Sequence, residues 1–405
     1  MTFSTARIDT EKLVEAWSGR MKRVRPALDR LALKVPRVGR APGRDLGVDA
    51  LRGITILLVV LGHAISAAVN LRATSPYTLL YSIHRFVYVF HMPAFFLISG
   101  YVLYGRRVRV GDRAVRLLPP FFAWIPLYFL MNHYLFNRTI PFWTVVKNTV
   151  LDPRIGLWFL PTLFLCSLLL IPIAFLKQEF RWPEEATLAG IFVVVNLLKW
   201  NSLGFMQIKY FFFFFALGYL AAKHRGWIDE IGRKRTNALL LVSSVLFLLG
   251  FAVLFNYGKI DPYPFPVSLS WLFSKPLAYL IRYGMALLGV LFLIGVVRAL
   301  KAPRARTALA WFGLVTMDIY VAHGIMMRLT FGTGVVRLVV SFLSGVFLSL
   351  ALSFLVLRQT WPTAVVFLGI KPEPGTMFRG KLAMALRRHR ARKAPAADAD
   401  GGRVA

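Results

Sequence analysis

The stretch "DALRGITILLVVLGHA", residues 49–64, reads as an apolar helix with an arginine near its start and a histidine near its end. Arg52 and His63 are eleven positions apart, which on an α-helix is about 16 Å and about three turns, so the two lie on nearly one face. An ionisable residue deep in a membrane helix faces the bundle interior or a water-filled cavity, because exposing it to lipid is costly. The helix is therefore expected to enter a membrane with Arg52 at its mouth and His63 near mid-bilayer. Spacing alone equally allows a neutral histidine hydrogen-bonded across helices.

The rest of the chain supports a membrane setting. It has 405 residues, is 57% hydrophobic and has a mean hydropathy of +0.60, too apolar for a domain wetted on all sides. Ten apolar runs, at 54–71, 84–104, 117–134, 157–176, 185–200, 207–222, 237–256, 277–297, 309–327 and 335–357, predict an all-α polytopic membrane protein, a bundle of about ten transmembrane helices. Placing the N-terminus in the cytoplasm puts 38 of the 50 Lys and Arg residues on the inner side. The positive-inside rule then makes both termini cytoplasmic. The net charge of +32 reads as topology and attraction to anionic membrane lipids, with no nucleic-acid partner.

The lone Cys166 lies in an apolar run, which excludes an intramolecular disulfide and a thiolate metal cluster, and no metal is expected. The first apolar run begins too late to be a cleaved signal segment and is expected to remain as the first span. Before it, Leu13, Val14, Trp17 and Met21 share a helical face beside Arg20, Lys22, Arg23 and Arg25. That pattern suits either a helix on the inner leaflet or a disordered basic tail. Residues 371–405 are too polar to bury a core and are expected to be disordered. The outer stretches 135–156 and 256–276 hold prolines among aromatics, which suits a cover over an outward site or anchoring at the headgroups.

Further ionisable groups recur in the apolar runs. In "FHMPAFFLISGY", residues 90–101, His91 stands beside Pro93, which frees a carbonyl one turn back and predicts a kink. In "GRRVRVGDRAVRLLPPFF", residues 105–122, Arg113 and Arg116 are three apart, so a helix would put both on one side, and guanidinium forks suit phosphate oxygens. Setting topology explains the same arginines. In "TMDIYVAHG", residues 316–324, Asp318 can pair with a buried cation, while His323, five residues on, faces elsewhere.

Six strings together resemble the membrane acyltransferase 3 family. They are "VDALRGITILLVVLGHA", "FHMPAFFLISGY", "DRAVRLLPPFF", "LWFLPTLF" (157–164), "FFFFFALGYL" (211–220) and "MDIYVAHG" (317–324), in the family's order across residues 46–357. The resemblance implies an integral bacterial inner-membrane O-acyltransferase. Its donor would be cytoplasmic acyl-CoA, acetyl-CoA foremost, and its acceptor a hydroxyl of an extracytoplasmic carbohydrate or glycolipid. Carried onto this chain, His63 becomes the catalytic histidine, Arg52 its paired arginine, and Arg113 and Arg116 the cofactor-side pair. Asp49, His91, Asp318 and His323 become substrate or accessory positions.

The implied organisation is a basic cytoplasmic extension (1–45), a transmembrane acyltransferase domain (46–357) and a basic, largely disordered cytoplasmic tail (358–405). The chemistry agrees with the residues. A hydroxyl needs a base to become a nucleophile, and a shielded imidazole can serve as that base or accept the acyl group itself. Arg52 can orient the donor or stabilise charge on the thioester oxygen. The rival reading is a transporter or flippase-like carrier, in which buried His and Arg line a path. A carrier should show repeated halves, and the sequence shows no such symmetry.

Overall fold

A computed structural model describes residues 36, 38, 44–69, 79–135, 139–151, 156–198, 205–255 and 276–370. Every regular element among them is helical. In chain order the first are α1 (Leu46–Ala68), α2 (Leu79–Leu103), α3 (Val110–Leu130, extended by a π-helical turn Met131–Leu135) and the short α4 (Phe142–Leu151). Next come α5 (Phe159–Leu168), α6 (Ile171–Phe180), α7 (Glu184–Leu197), α8 (Phe205–Lys223), α9 (Arg225–Glu230) and α10 (Arg233–Gly250). The last are α11 (Pro276–Ala299), α12 (Pro303–Leu314), α13 (Thr316–Met326), α14 (Gly334–Leu357) and α15 (Trp361–Leu368).

Eight of these are long and apolar enough to cross a membrane, α5 and α6 counting as one run, Phe159–Phe180. Lipid offers backbone N–H and C=O groups no partners, so each crossing segment satisfies its own as a helix. The run 185–200 forms α7, whose 14 residues reach only about 21 Å and fall short of the roughly 30 Å hydrocarbon core. The expected single span at 309–327 is corrected: the helix breaks after Leu314, and α12 and α13 meet at a 74° bend, giving up to nine crossings. The Thr316 hydroxyl donates to the carbonyls of Phe312 (3.2 Å) and Gly313 (2.9 Å), where the regular ladder ends. By contrast α2 continues as one helix through Pro93.

Two crossings between helices depend on missing side chains. A Cβ on Gly53 of α1 would sit 1.8 Å from the Leu309 carbonyl oxygen of α12, and one on Gly313 would sit 2.0 Å from that of Asp49. Between α2 and α8 the same holds for Gly100 against Phe215 O and Gly218 against Leu97 O, each at 1.9 Å. Within lipid, helices associate by close packing, and glycine lets backbones touch. The obstacle at Gly53 is backbone and cannot rotate away, so Gly53→Ala is expected to cost about 1–3 kcal/mol or more. A fall in monodisperse, detergent-extracted protein and in its melting temperature would register this; unchanged melting would refute the packing claim.

Around these crossings the core is aromatic. Phe211, Phe212, Phe214 and Phe215 are buried, and Phe211 stacks on Phe96 (4.7 Å between centroids) and Trp158 (5.2 Å). In contrast α10 exposes Leu239, Leu241, Val242, Leu246 and Leu249, a face fit for lipid.

The tail expected from residue 358 starts with packed structure. Trp124 Nε1 on α3 donates to Phe367 O at 3.0 Å, and Gly369, in the left-handed region at φ 61°, lies against the Arg116 carbonyl. On the other side of the chain Trp311 Nε1 donates to Pro36 O at 3.1 Å, and Val38 packs beside Ala50, Val297 and Ala310. The amphipathic face at Leu13, Val14, Trp17 and Met21, residues 136–138 and 152–155 of the first outer stretch, residues 256–275 of the second, and residues 371–405 lie outside the described residues.

Candidate active site

The sequence places His63 on α1, and the fold surrounds it. Its ring centroid lies 5.2 Å from that of His323 on α13 and 6.4 Å, edge-on, from that of Tyr88 on α2. His63 is exposed, whereas His84, His91 and His323 are buried. Ring partners on two different helices place this imidazole inside the bundle, so its open surface faces the space between helices. Gly62 makes room for this arrangement, because a Cβ there would come within 2.8 Å of Tyr88 Cε2.

Tyr88 links the remaining histidines. Its ring stacks on His84 at 4.1 Å and meets His91 edge-on at 4.8 Å, while His84 Nε2 and the Ser66 hydroxyl are 2.9 Å apart. Two of the tautomers follow from acceptors that can only accept. His91 Nδ1 donates to Val87 O at 2.7 Å, and His323 Nδ1 donates to Tyr320 O at 2.7 Å. When neutral, each of these rings therefore carries its lone pair on Nε2. The Tyr320 hydroxyl in turn accepts from Phe159 N at 3.3 Å.

At the N-terminal end of α1, Asp49 is buried and gathers cations. It accepts from Arg44 Nε (2.5 Å) and Nη2 (3.3 Å), and Arg52 Nη1 stands 3.8 Å away. Arg116, Arg44 and Arg106 all lie within electrostatic reach of Arg52. Arg113 and Arg116, expected on one side of their helix, have different surroundings. Arg113 Nε and Nη2 both donate to Ser167 Oγ (3.2 and 2.8 Å) on α5, whereas Arg116 is exposed within the arginine group.

Asp318 pairs with a cation, as its type suggested. Arg358 donates to both of its oxygens, at 2.7 and 2.9 Å, and the Ser353 hydroxyl donates to Oδ1. Asp318 and His323 thus point to different partners, α14 and α1 respectively. Among the described residues no three His, Cys, Asp or Glu side chains converge so as to hold a metal ion.

The sequence reading missed His84, Tyr88, Ser66 and Arg358. A signal existed for the first two: His84, Tyr88 and His91 follow an i, i+4, i+7 pattern that puts them on one helical stripe. Arg358 had none, being 40 residues from Asp318 and the first residue of the expected tail.

A family model for an acyltransferase domain, Acyl_transf_3, matches residues 45–358. The chain belongs to the acyltransferase 3 family. Among its relatives, nodulation protein NolL of Mesorhizobium japonicum is 29% identical over 220 residues, covering 51% of this chain and 55% of that protein. NolL of Sinorhizobium fredii is 30% identical over 226 residues, covering 53% of this chain and 56% of the relative. The chain therefore spans about half the length of the curated relatives it matches. No solved structure matches it. The acyltransferase 3 match takes in every site residue described above except Arg44, and it ends on Arg358.

Proposed function

We propose that this protein is a multi-pass O-acyltransferase of the bacterial inner membrane. It moves an acyl group, acetyl foremost, from cytoplasmic acyl-CoA to a hydroxyl of an extracytoplasmic carbohydrate or glycolipid. The ten crossings expected from the sequence require the short α7 to complete a passage in addition to the eight long helices and the bent α12–α13 pair. Both termini then share the side that holds 38 of the 50 Lys and Arg residues, which the positive-inside rule assigns to the cytoplasm.

The observation that carries this reading is His63, open to the space between helices and beside His323, on the same helix whose other end gathers arginines. The His63 imidazole takes the acceptor's proton as the oxygen attacks the thioester carbonyl, and the tetrahedral intermediate expels the CoA thiolate, which the imidazolium reprotonates. Acyl transfer through the imidazole itself balances equally, with the ring nitrogen as first acceptor and the hydroxyl as second. Arg52 is about 16 Å along the helix from His63, beyond an arginine's reach to the same carbonyl. It therefore serves the donor's phosphates, with Arg116 beside it and Arg113 fixed by Ser167. Family membership favours group transfer over a carrier.

Membrane vesicles with the cytoplasmic face outward, supplied with labelled acetyl-CoA, should label envelope carbohydrate or glycolipid, identified by its mass. Replacing both Arg113 and Arg116 with alanine should raise KM for acetyl-CoA about 10- to 100-fold, the effect of losing charge-assisted hydrogen bonds. Dependence on acceptor should hardly change. Unaltered donor dependence would leave these arginines only a topological role.

A further inference from the structure

At the inner end of the bundle, on the orientation given above, one face of α12 is left open. α12 runs beside α1 in the same direction: Arg306 Nη2 lies 3.8 Å from where a Cβ on Gly47 would be, and Gly313, further along, meets Asp49. The opposite face carries Arg304, Thr307, Ala308 and Trp311 at i, i+3, i+4 and i+7, a single stripe whose first three members are exposed. Pro36 and Val38 form the facing wall, and Trp311 Nε1 ties it down through its 3.1 Å hydrogen bond to Pro36 O. Between the two lies a groove of about 710 Å³. That is within the usual range for a bound small molecule.

The groove changes character along its length. At its inner end α12 starts with Pro303 and has no side-chain cap, so its first N–H groups and the positive end of its dipole sit beside Arg304. Neither Arg304 nor Thr307 has a side-chain hydrogen-bond partner among the described residues. The surrounding chain is basic throughout: Arg298, Lys301 and Arg304 are exposed, and residues 262–317 contain no Asp or Glu. Trp311 stands seven residues after Arg304, about 10 Å deeper. There Ala308, Trp311 and Val38 offer apolar surface. Positive charge at the surface, a hydroxyl one turn in and apolar walls below match the phosphodiester, glycerol ester and acyl chain of a phospholipid. A free anion would use only the charged end and leave the apolar half unfilled.

We propose that this groove binds one anionic phospholipid of the inner leaflet, its phosphate on Arg304 and the α12 N-terminus and an acyl chain along Ala308 and Trp311. The site shares no residue with the arginine group around Arg52 or with the histidines, so it stands whether or not transfer occurs.

Full-length protein in nanodiscs of neutral lipid would receive a small fraction of phosphatidylglycerol or phosphatidylcholine carrying a photoactivatable diazirine in one acyl chain. Labelled peptides would be identified by mass spectrometry. The phosphatidylglycerol probe should label residues 303–314 about tenfold more than the phosphatidylcholine probe, as one charge-assisted contact allows. Arg304→Gln should bring it down to the phosphatidylcholine level. Ala308→Trp, which fills the groove from an exposed position, should suppress the labelling with Arg304 still in place. Arg233→Gln, which removes an exposed inner-side cation on α10, should leave it intact. Unlabelled phosphatidylglycerol should compete, and inorganic phosphate should not.

Equal labelling by the two probes would reduce the groove to ordinary surrounding lipid and overturn the site. A preference that survives Arg304→Gln or Ala308→Trp, or that falls with Arg233→Gln, would do the same. Displacement by inorganic phosphate would assign the charged end to a free anion and overturn the phospholipid.

Discussion

Replacing His63 with alanine is expected to leave the protein folded in the membrane while slowing acyl transfer about a hundred- to ten-thousand-fold, the range for losing a positioned acid–base group. The ring is exposed and makes aromatic contacts rather than filling the core, so its removal leaves the glycine-seated crossings of α1 untouched. His323→Ala offers the informative comparison. Its Nδ1 is committed to Tyr320 O, and its ring lies 5.2 Å from that of His63. If the two imidazoles handle one proton together, the double variant should lose hardly more than His63→Ala alone, because groups acting as a unit are not additive. Single-turnover transfer of labelled acetyl groups by wild-type, single and double variants is the measurement. Full activity in His63→Ala would remove the catalytic assignment.

The second large effect concerns stability. Asp318 is 1% exposed and receives both arms of the Arg358 fork, whose own side chain is 15% exposed. Taking one charge out of a buried pair strands the other, at a cost of about 3–5 kcal/mol, whereas a surface pair contributes about 0–1 kcal/mol. Asp318→Ala should therefore lower the melting temperature clearly, and the exchange Asp318→Arg with Arg358→Asp should recover part of the loss. Because α13 also carries His323, transfer should fall with stability and return with it. An Asp318→Ala protein that melts like wild type would show that the pair contributes nothing net.

These two predictions sit on opposite sides of what a sequence can be made to yield. His63 was visible because its signal is local: an ionisable residue inside an apolar run, on the same helical face as Arg52. Arg113 and Arg116 were visible for the same reason, although their spacing did not tell that Ser167 would hold one and the arginine group the other. The His84, Tyr88 and His91 stripe was equally local and passed unread. The clamp on Asp318 was of another kind. Its partner is 40 residues away, in the turn that ends α14, and periodicity carries no information about which segments become neighbours.

Apolar run length alone therefore established a multi-helix membrane chain, because the thickness of hydrocarbon and the need to satisfy every peptide group admit few alternatives. The distribution of Lys and Arg gave its expected orientation. What the folded molecule added is the break after Leu314, the meeting of His63 with His323 across 260 positions of chain, and the packing of α15 on α3. Those depend on where two backbones can touch, at Gly53 and Gly313 or Gly100 and Gly218, and on hydrogen bonds such as those of Thr316. Contacts of that kind arise between segments remote in sequence, and no local pattern encodes them.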